Sequence, residues 1–181
     1  MLLVLSSILI LLFMTYFDRR MAQLADQAKV NQLESIPDMQ LTGYDPSWLY
    51  SYASKLSSNG RQFYLRTILI PDFAFPIVYS FWFAAVLSYA FSATGPHYLG
   101  FRIVLPIPFL AALFDFAENL LLFQLLSDFP DGFSEQKADF ASAFTQLKWG
   151  MILLSFVAIL VGVITSIRYV RIHRRSIYRP Q

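Results

Sequence analysis

The chain has 181 residues, of which 56% are hydrophobic, 17% aromatic and only 14% charged. A soluble domain carries about a quarter charged residues, so this composition points to a chain that hides apolar surface in lipid as well as in a core. A net charge of +2 argues against a general nucleic-acid binder, and the absence of cysteine excludes disulfides, thiolate nucleophiles and cysteine metal sites.

A membrane-crossing helix needs about 20 mostly apolar residues. Four stretches predict such helices, at 2–17, 68–92, 101–126 and 149–167. The expected fold is therefore an all-α polytopic membrane protein. It is a four-transmembrane-helix bundle in one domain over 1–181, with a short helical outer segment at 18–66. No Lys or Arg precedes the first stretch and Phe17-Asp18-Arg19 follows it directly, which favours an uncleaved anchor over a removable signal peptide.

Within the outer segment, Met21, Leu24, Ala25, Ala28, Gln32, Leu33 and Ile36 recur at helical spacing. They predict a weakly amphipathic helix that extends the first span or rests on the membrane surface. Asp45-Pro46 marks the start of a second helix, because Asp caps free amides and Pro suits the first helical position. Asn59-Gly60 reads as its stop, and Trp48, Tyr50 and Tyr52 as headgroup-zone aromatics.

Orientation follows from Lys and Arg in the flanks. Arg168, Arg171, Arg174, Arg175 and Arg179 follow the fourth span, whereas the loop before it carries Asp128, Asp131, Glu135 and Asp139 against Lys137. The tail faces the cytoplasm of a bacterial-type inner membrane, and with four spans the N-terminus does too. Arg19 and Arg20 run against this rule. The basic tail reads as the topology signal rather than as a patch for anionic lipid or RNA.

The acids inside the spans are the informative residues. Asp72 lies near the start of the second span, and Asp115, Glu118 and Asn119 lie in the third at i, i+3 and i+4, on one face. A carboxylate at the centre of a lipid-facing helix costs at least ~2.5 kcal/mol, so such groups face the bundle and find partners. Ala111 and Ala112 lie one turn earlier on that face and permit close packing. At ~1.5 Å per residue, Glu118 sits roughly 12 Å inside the outer end of its span. If the two helices are neighbours, the acids share a polar pocket that opens outward. Tyr79 falls two turns below Asp72, and Arg66 and Lys148 near the same boundary are candidate counter-charges. A plainer reading makes Asp72–Arg66 and Glu118–Lys148 ion pairs that fix helix order. Pro71 and Pro76, with Pro106 and Pro108, free carbonyls that protein or water must satisfy.

The familiar catalytic signatures are missing: there is no phosphate-binding glycine loop, HExxH helix or G-x-S-x-G elbow. His97 and His173 fall in an inner loop and the tail, away from the acids. No catalytic residue or cofactor follows from the sequence. The carboxylates and Asn119 suit a hard cation such as Mg²⁺ or Ca²⁺, and a buried Glu suits proton transfer. Two functions remain open. One is a site for a lipid headgroup, small solute or cation at Asp72, Tyr79, Asp115, Glu118 and Asn119, with Arg66 and Lys148. The other is a non-catalytic accessory or scaffold subunit of a membrane complex. Ser155, Ala158, Gly162 and Thr165 form a small-residue stripe that reads as a packing face, with a homo-oligomer contact as the alternative. The expected partners are membrane lipid and a membrane-protein partner or second copy, with no nucleic acid.

The run Gly60-Arg61-Gln62-Phe63-Tyr64-Leu65-Arg66, then Asp72-x-x-Phe75-Pro76-x-x-Tyr79 and Asp115-x-x-Glu118-Asn119, resembles a group of small bacterial four-span inner-membrane proteins. The likeness covers about residues 41–126. It implies a polytopic membrane protein and marks the acids for testing, and brings with it no activity, cofactor or substrate.

Overall fold

A computed structural model describes residues 2–28, 36–94 and 98–177, and all regular structure among them is helical. The helices are α1 (Leu2–Ala28), α2 (Pro46–Lys55), α3 (Ser58–Tyr64), α4 (Ile70–Asp72), α5 (Phe75–Ala90), α6 (Leu99–Val104), α7 (Ile107–Ser127) and α8 (Glu135–Ile177). Among the described residues, three helical paths are long and apolar enough to cross a membrane: Ser58–Ala90, Leu99–Ser127 and Glu135–Ile172. The expected first span is the start of α1, which is one continuous helix that runs on through Met21 and Leu24.

The second path bends where its prolines demand it. Pro71 has no amide and its ring crowds the carbonyl four residues back, that of Thr67. The chain answers with a π-helical turn at Leu65–Leu69, and the Tyr16 hydroxyl of α1 donates to the Thr67 carbonyl at 2.9 Å. A second bend at Phe73–Ala74 leads into α5, which carries Pro76 in its first turn. Pro106 and Pro108 likewise open α7 rather than interrupt it, after the break that ends α6.

Three layers of core stack along the bundle. At one end, α2 and α3 bring Leu49, Tyr52, Leu56 and Tyr64 onto Leu122, Leu125, Leu126 and Ala141 of α7 and α8, with Met21 and Leu24 of α1. In the middle, Tyr79 and Phe83 of α5 meet Ala111 and Ala112 of α7. At the far end, Leu87, Ala90 and Phe91 meet Ala158 of α8. The small-residue stripe of α8 is used here. A side chain at Gly162 would collide with the Phe91 ring, and the Ser166 hydroxyl donates to the Ala90 carbonyl at 2.7 Å. The stripe is thus an internal packing face.

Several local expectations need correction. Asn59-Gly60 does not end a helix. Leu56 leaves the helical region, and the Ser57 hydroxyl accepts the Gly60 amide at 3.1 Å, so these residues start α3 instead. Asp45 precedes α2 as expected, but its side chain makes no cap bond. Ile36 is extended, not helical. Tyr52 is core rather than headgroup-zone, stacked on Trp48 at 5.5 Å, while Tyr50 is exposed. Gln32, Leu33, His97 and Arg179 lie outside the described residues.

Candidate functional site

The site is built where α7 and α8 lie side by side near the α2–α3 end. On α7, the i, i+3, i+4 spacing carries Asp115, Glu118 and Asn119 into the interior, where they are 4%, 0% and 0% exposed. Ala111 and Ala112 beneath them let the neighbouring helices approach closely. Facing them, α8 presents Thr145 and Lys148, also buried.

Lys148 organises the cluster. Its ammonium lies 2.8 Å from Glu118 Oε2 and 3.9 Å from Asp115 Oδ1, and closes on Asp38 Oδ1 as well. Glu118 Oε2 is held by that ion pair alone, whereas Oε1 faces the Thr145 hydroxyl at 2.6 Å. That hydroxyl also faces the Ala141 carbonyl at 3.0 Å, so its one proton has two acceptors. The Tyr79 hydroxyl donates to Asp115 Oδ2 at 3.1 Å. Asn119 Nδ2 donates to Asp115 Oδ1 at 3.3 Å and to Asp72 Oδ2 at 3.1 Å. Asn119 Oδ1, fully buried, has no hydrogen-bond partner.

The structure therefore brings together Asp72, Tyr79, Asp115, Glu118, Asn119 and Lys148. Arg66 stays out: it is exposed and makes no ion pair with Asp72. The π-helical turn rotates it to the outer side of the helix, so one of the two expected counter-charges is lost. The pocket does not stand open either. Residues 36–45, here called the strap, cross over it.

The strap supplies the residue that sequence reading passed over. Asp38 sits on a short 3-10 turn at Pro37–Met39, and its carbonyl accepts the Trp149 indole N–H at 2.9 Å. Its side chain is 24% exposed, against 2% for Lys148. The one sequence signal was an acid directly after Pro37 in a segment of otherwise weak pattern. Tyr44 lies further along the strap. Its amide donates to Ser142 Oγ at 2.8 Å, and its hydroxyl is buried beside Thr145 without a partner at bonding geometry. Burial, and after it the Glu118 carboxylate, hold this phenol well above its ordinary range, so it stays neutral.

The chemistry of the donor set is plain. Asp38, Asp115 and Glu118 each turn a carboxylate oxygen to within 4.8 Å of the others, and Asp72 joins through Asn119. Three carboxyl groups thus surround one ammonium, with a fourth close behind them, in a place with little water to screen them. No protein-family model, curated protein or solved structure matches the chain. The site is read on its own geometry.

Proposed function

We propose that the protein is a four-span protein of a bacterial-type inner membrane that binds a small cation in an acidic site near its outer face. Support for the membrane reading comes from the exposed apolar residues. Leu153, Phe156, Leu160 and Ile164 on α8, and Leu5, Leu9 and Leu12 on α1, are about half exposed, a belt that water would not tolerate. α1 serves as the fourth span through its charge-free stretch 2–17, which at roughly 24 Å is shorter than the other three paths. α8, at 43 residues, is roughly 64 Å long and overruns a ~30 Å hydrocarbon core. Its arginine-bearing end, with Arg168 and Arg171 exposed, suits the cytoplasmic side, which puts both termini inside and the acidic cluster toward the outside.

One observation carries the functional reading: three carboxyl groups face a single ammonium, and a fourth, Asp72, is tied to them through Asn119. An ion pair that only fixes helix order needs one acid for each base. A buried excess of acid needs further positive charge, as a bound cation or as protons. Oxygen-only donors, with the buried and unpartnered Asn119 carbonyl beside them, suit a hard metal ion. The ammonium of a lipid headgroup offers the same charge.

Thermal unfolding in detergent tests this. Mg²⁺, Ca²⁺ or phosphatidylethanolamine should raise the wild-type midpoint with the logarithm of its concentration, the stabilisation reaching about 2.7 kcal/mol at a hundredfold excess over Kd. The responding additive separates a metal ion from a headgroup. Asp115→Asn and Glu118→Gln should fold and lose the response. If no additive acts and every acid variant is markedly less stable, the cluster is a structural ion-pair network and the proposal fails.

A further inference from the structure

We propose that the strap is a movable gate over the acidic cluster, with Asp38 as its latch and Tyr44 as the barrier between cluster and solvent. The route it controls starts in a polar groove of about 400 Å³ beside the strap. What passes along that route rests on the cation reading above.

The groove is lined by Thr42, Tyr44 and Asp45 on the strap side and by Asp139, Ser142 and Gln146 on α8. Its lining holds two carboxylates and no Lys or Arg, so its field concentrates cations at the mouth. One turn further along α8, Thr145 touches Glu118. On the side toward Thr145 the groove is lined by Tyr44, whose hydroxyl ends beside Thr145, and by Ser142, whose hydroxyl holds the Tyr44 amide. The groove and the cluster are two compartments with the strap as their common wall.

The wall is attached in a way that lets it move as a unit. Its backbone bonds are mostly internal: Met39 to Ile36, Gln40 to Pro37 and Gly43 to Gln40. Among the described residues, three polar links join it to α8: Asp38 to Lys148, the Asp38 carbonyl to Trp149, and Tyr44 to Ser142. Pro37 is buried, and Ile36 and Tyr44 rest on the core. Gly43 turns the strap with φ +81°, and a Cβ there would strike the Gln146 side chain. Beneath the strap, Glu118 and Thr145 are fully buried. Asp38 is the one partner of Lys148 that leaves with the strap. Opening therefore removes a negative charge from the ammonium while admitting water to Glu118.

The chain contains no cysteine, so a single introduced thiol reports on access. Thr145→Cys would be placed in the full-length protein in liposomes and labelled with a membrane-impermeant maleimide. The rate would be compared with the strap intact, with Asp38→Asn and with Tyr44→Ala. Ser155→Cys, fully buried deeper in α8, is the control for global unfolding. A gate predicts that both strap variants raise the rate at position 145 at least tenfold and leave position 155 unlabelled. Unchanged labelling at 145 in both variants overturns the proposal, because the strap is then not what closes the cluster. Equal acceleration at 145 and 155 also overturns it, because the strap then holds the fold. A last arm adds Mg²⁺ or Ca²⁺ to the strap variants. Protection at 145 joins the gate to the cation site. Opening without protection keeps the gate and removes the cation reading.

Discussion

Lys148 closes on Asp38, a residue 110 positions earlier in the chain, and this pairing turns a set of buried acids into an enclosed site. Every other partner of the ammonium comes from α7, the helix that lies along α8. Asp38 comes from the strap, so charge balance inside the bundle depends on where a short segment outside the long helices sits.

Removing Lys148 should be the most damaging single change in the cluster. Lys148→Met leaves the surrounding acids with no cation, and breaking a buried pair costs about 3–5 kcal/mol. The folded fraction in detergent should fall sharply. Glu118→Gln added to Lys148→Met should recover part of the loss, because it removes one uncompensated charge. An additive double variant would show that the two groups do not interact.

Tyr79→Phe should fold and lose about 1–3 kcal/mol, since Asp115 Oδ2 then loses its phenol donor in a buried position. Calorimetry in detergent reads this directly. The same variant should weaken any divalent-cation shift, because Asp115 is then free to turn away from the cluster.

At Gly43 the expectation is local. Ala is strained at φ +81° and its methyl would strike the Gln146 side chain, so Gly43→Ala should cost about 1 kcal/mol or more. Hydrogen exchange should rise in the strap and at Ser142 but stay unchanged in the core of α7. Uniformly faster exchange would mean that Gly43 matters to the whole fold.

Gly162→Val tests the small-residue stripe. A Cβ at that position meets the Phe91 ring at 2.6 Å and Ala90 at 3.1 Å, so overpacking should cost about 1–3 kcal/mol. The monomer fraction in detergent should not change. A loss of dimer with unchanged stability would instead make the stripe an intermolecular contact.

Alkali should unfold the protein from about pH 10 upward. Burial raises the Tyr44 and Tyr52 phenols well above their ordinary value near 10, so both stay protonated when folded. The unfolded chain releases these protons as pH passes that value, and stability then falls with each further step. Tyr52→Phe should flatten the alkaline limb of the stability profile. An unaltered limb would place the ionising groups elsewhere.

Sequence by itself determined the helical class, the apolar stretches and the inward face of α7. Those features follow from local periodicity and from the cost of placing charge in lipid. It also marked Pro71, though the partner of the freed Thr67 carbonyl, Tyr16, could not be read from the chain. Tertiary structure decided which charges meet. Arg66 and Lys148 look alike in sequence, each near a span boundary, yet a π-helical turn carries one out to solvent while the register of α8 carries the other onto Glu118. Asp38 entered the site through a strap with no periodicity to betray it, held by contacts more than 100 positions away. Helix faces are local properties of the chain, whereas ion-pair partners depend on rotation and register between helices, and those are set only when the whole bundle packs.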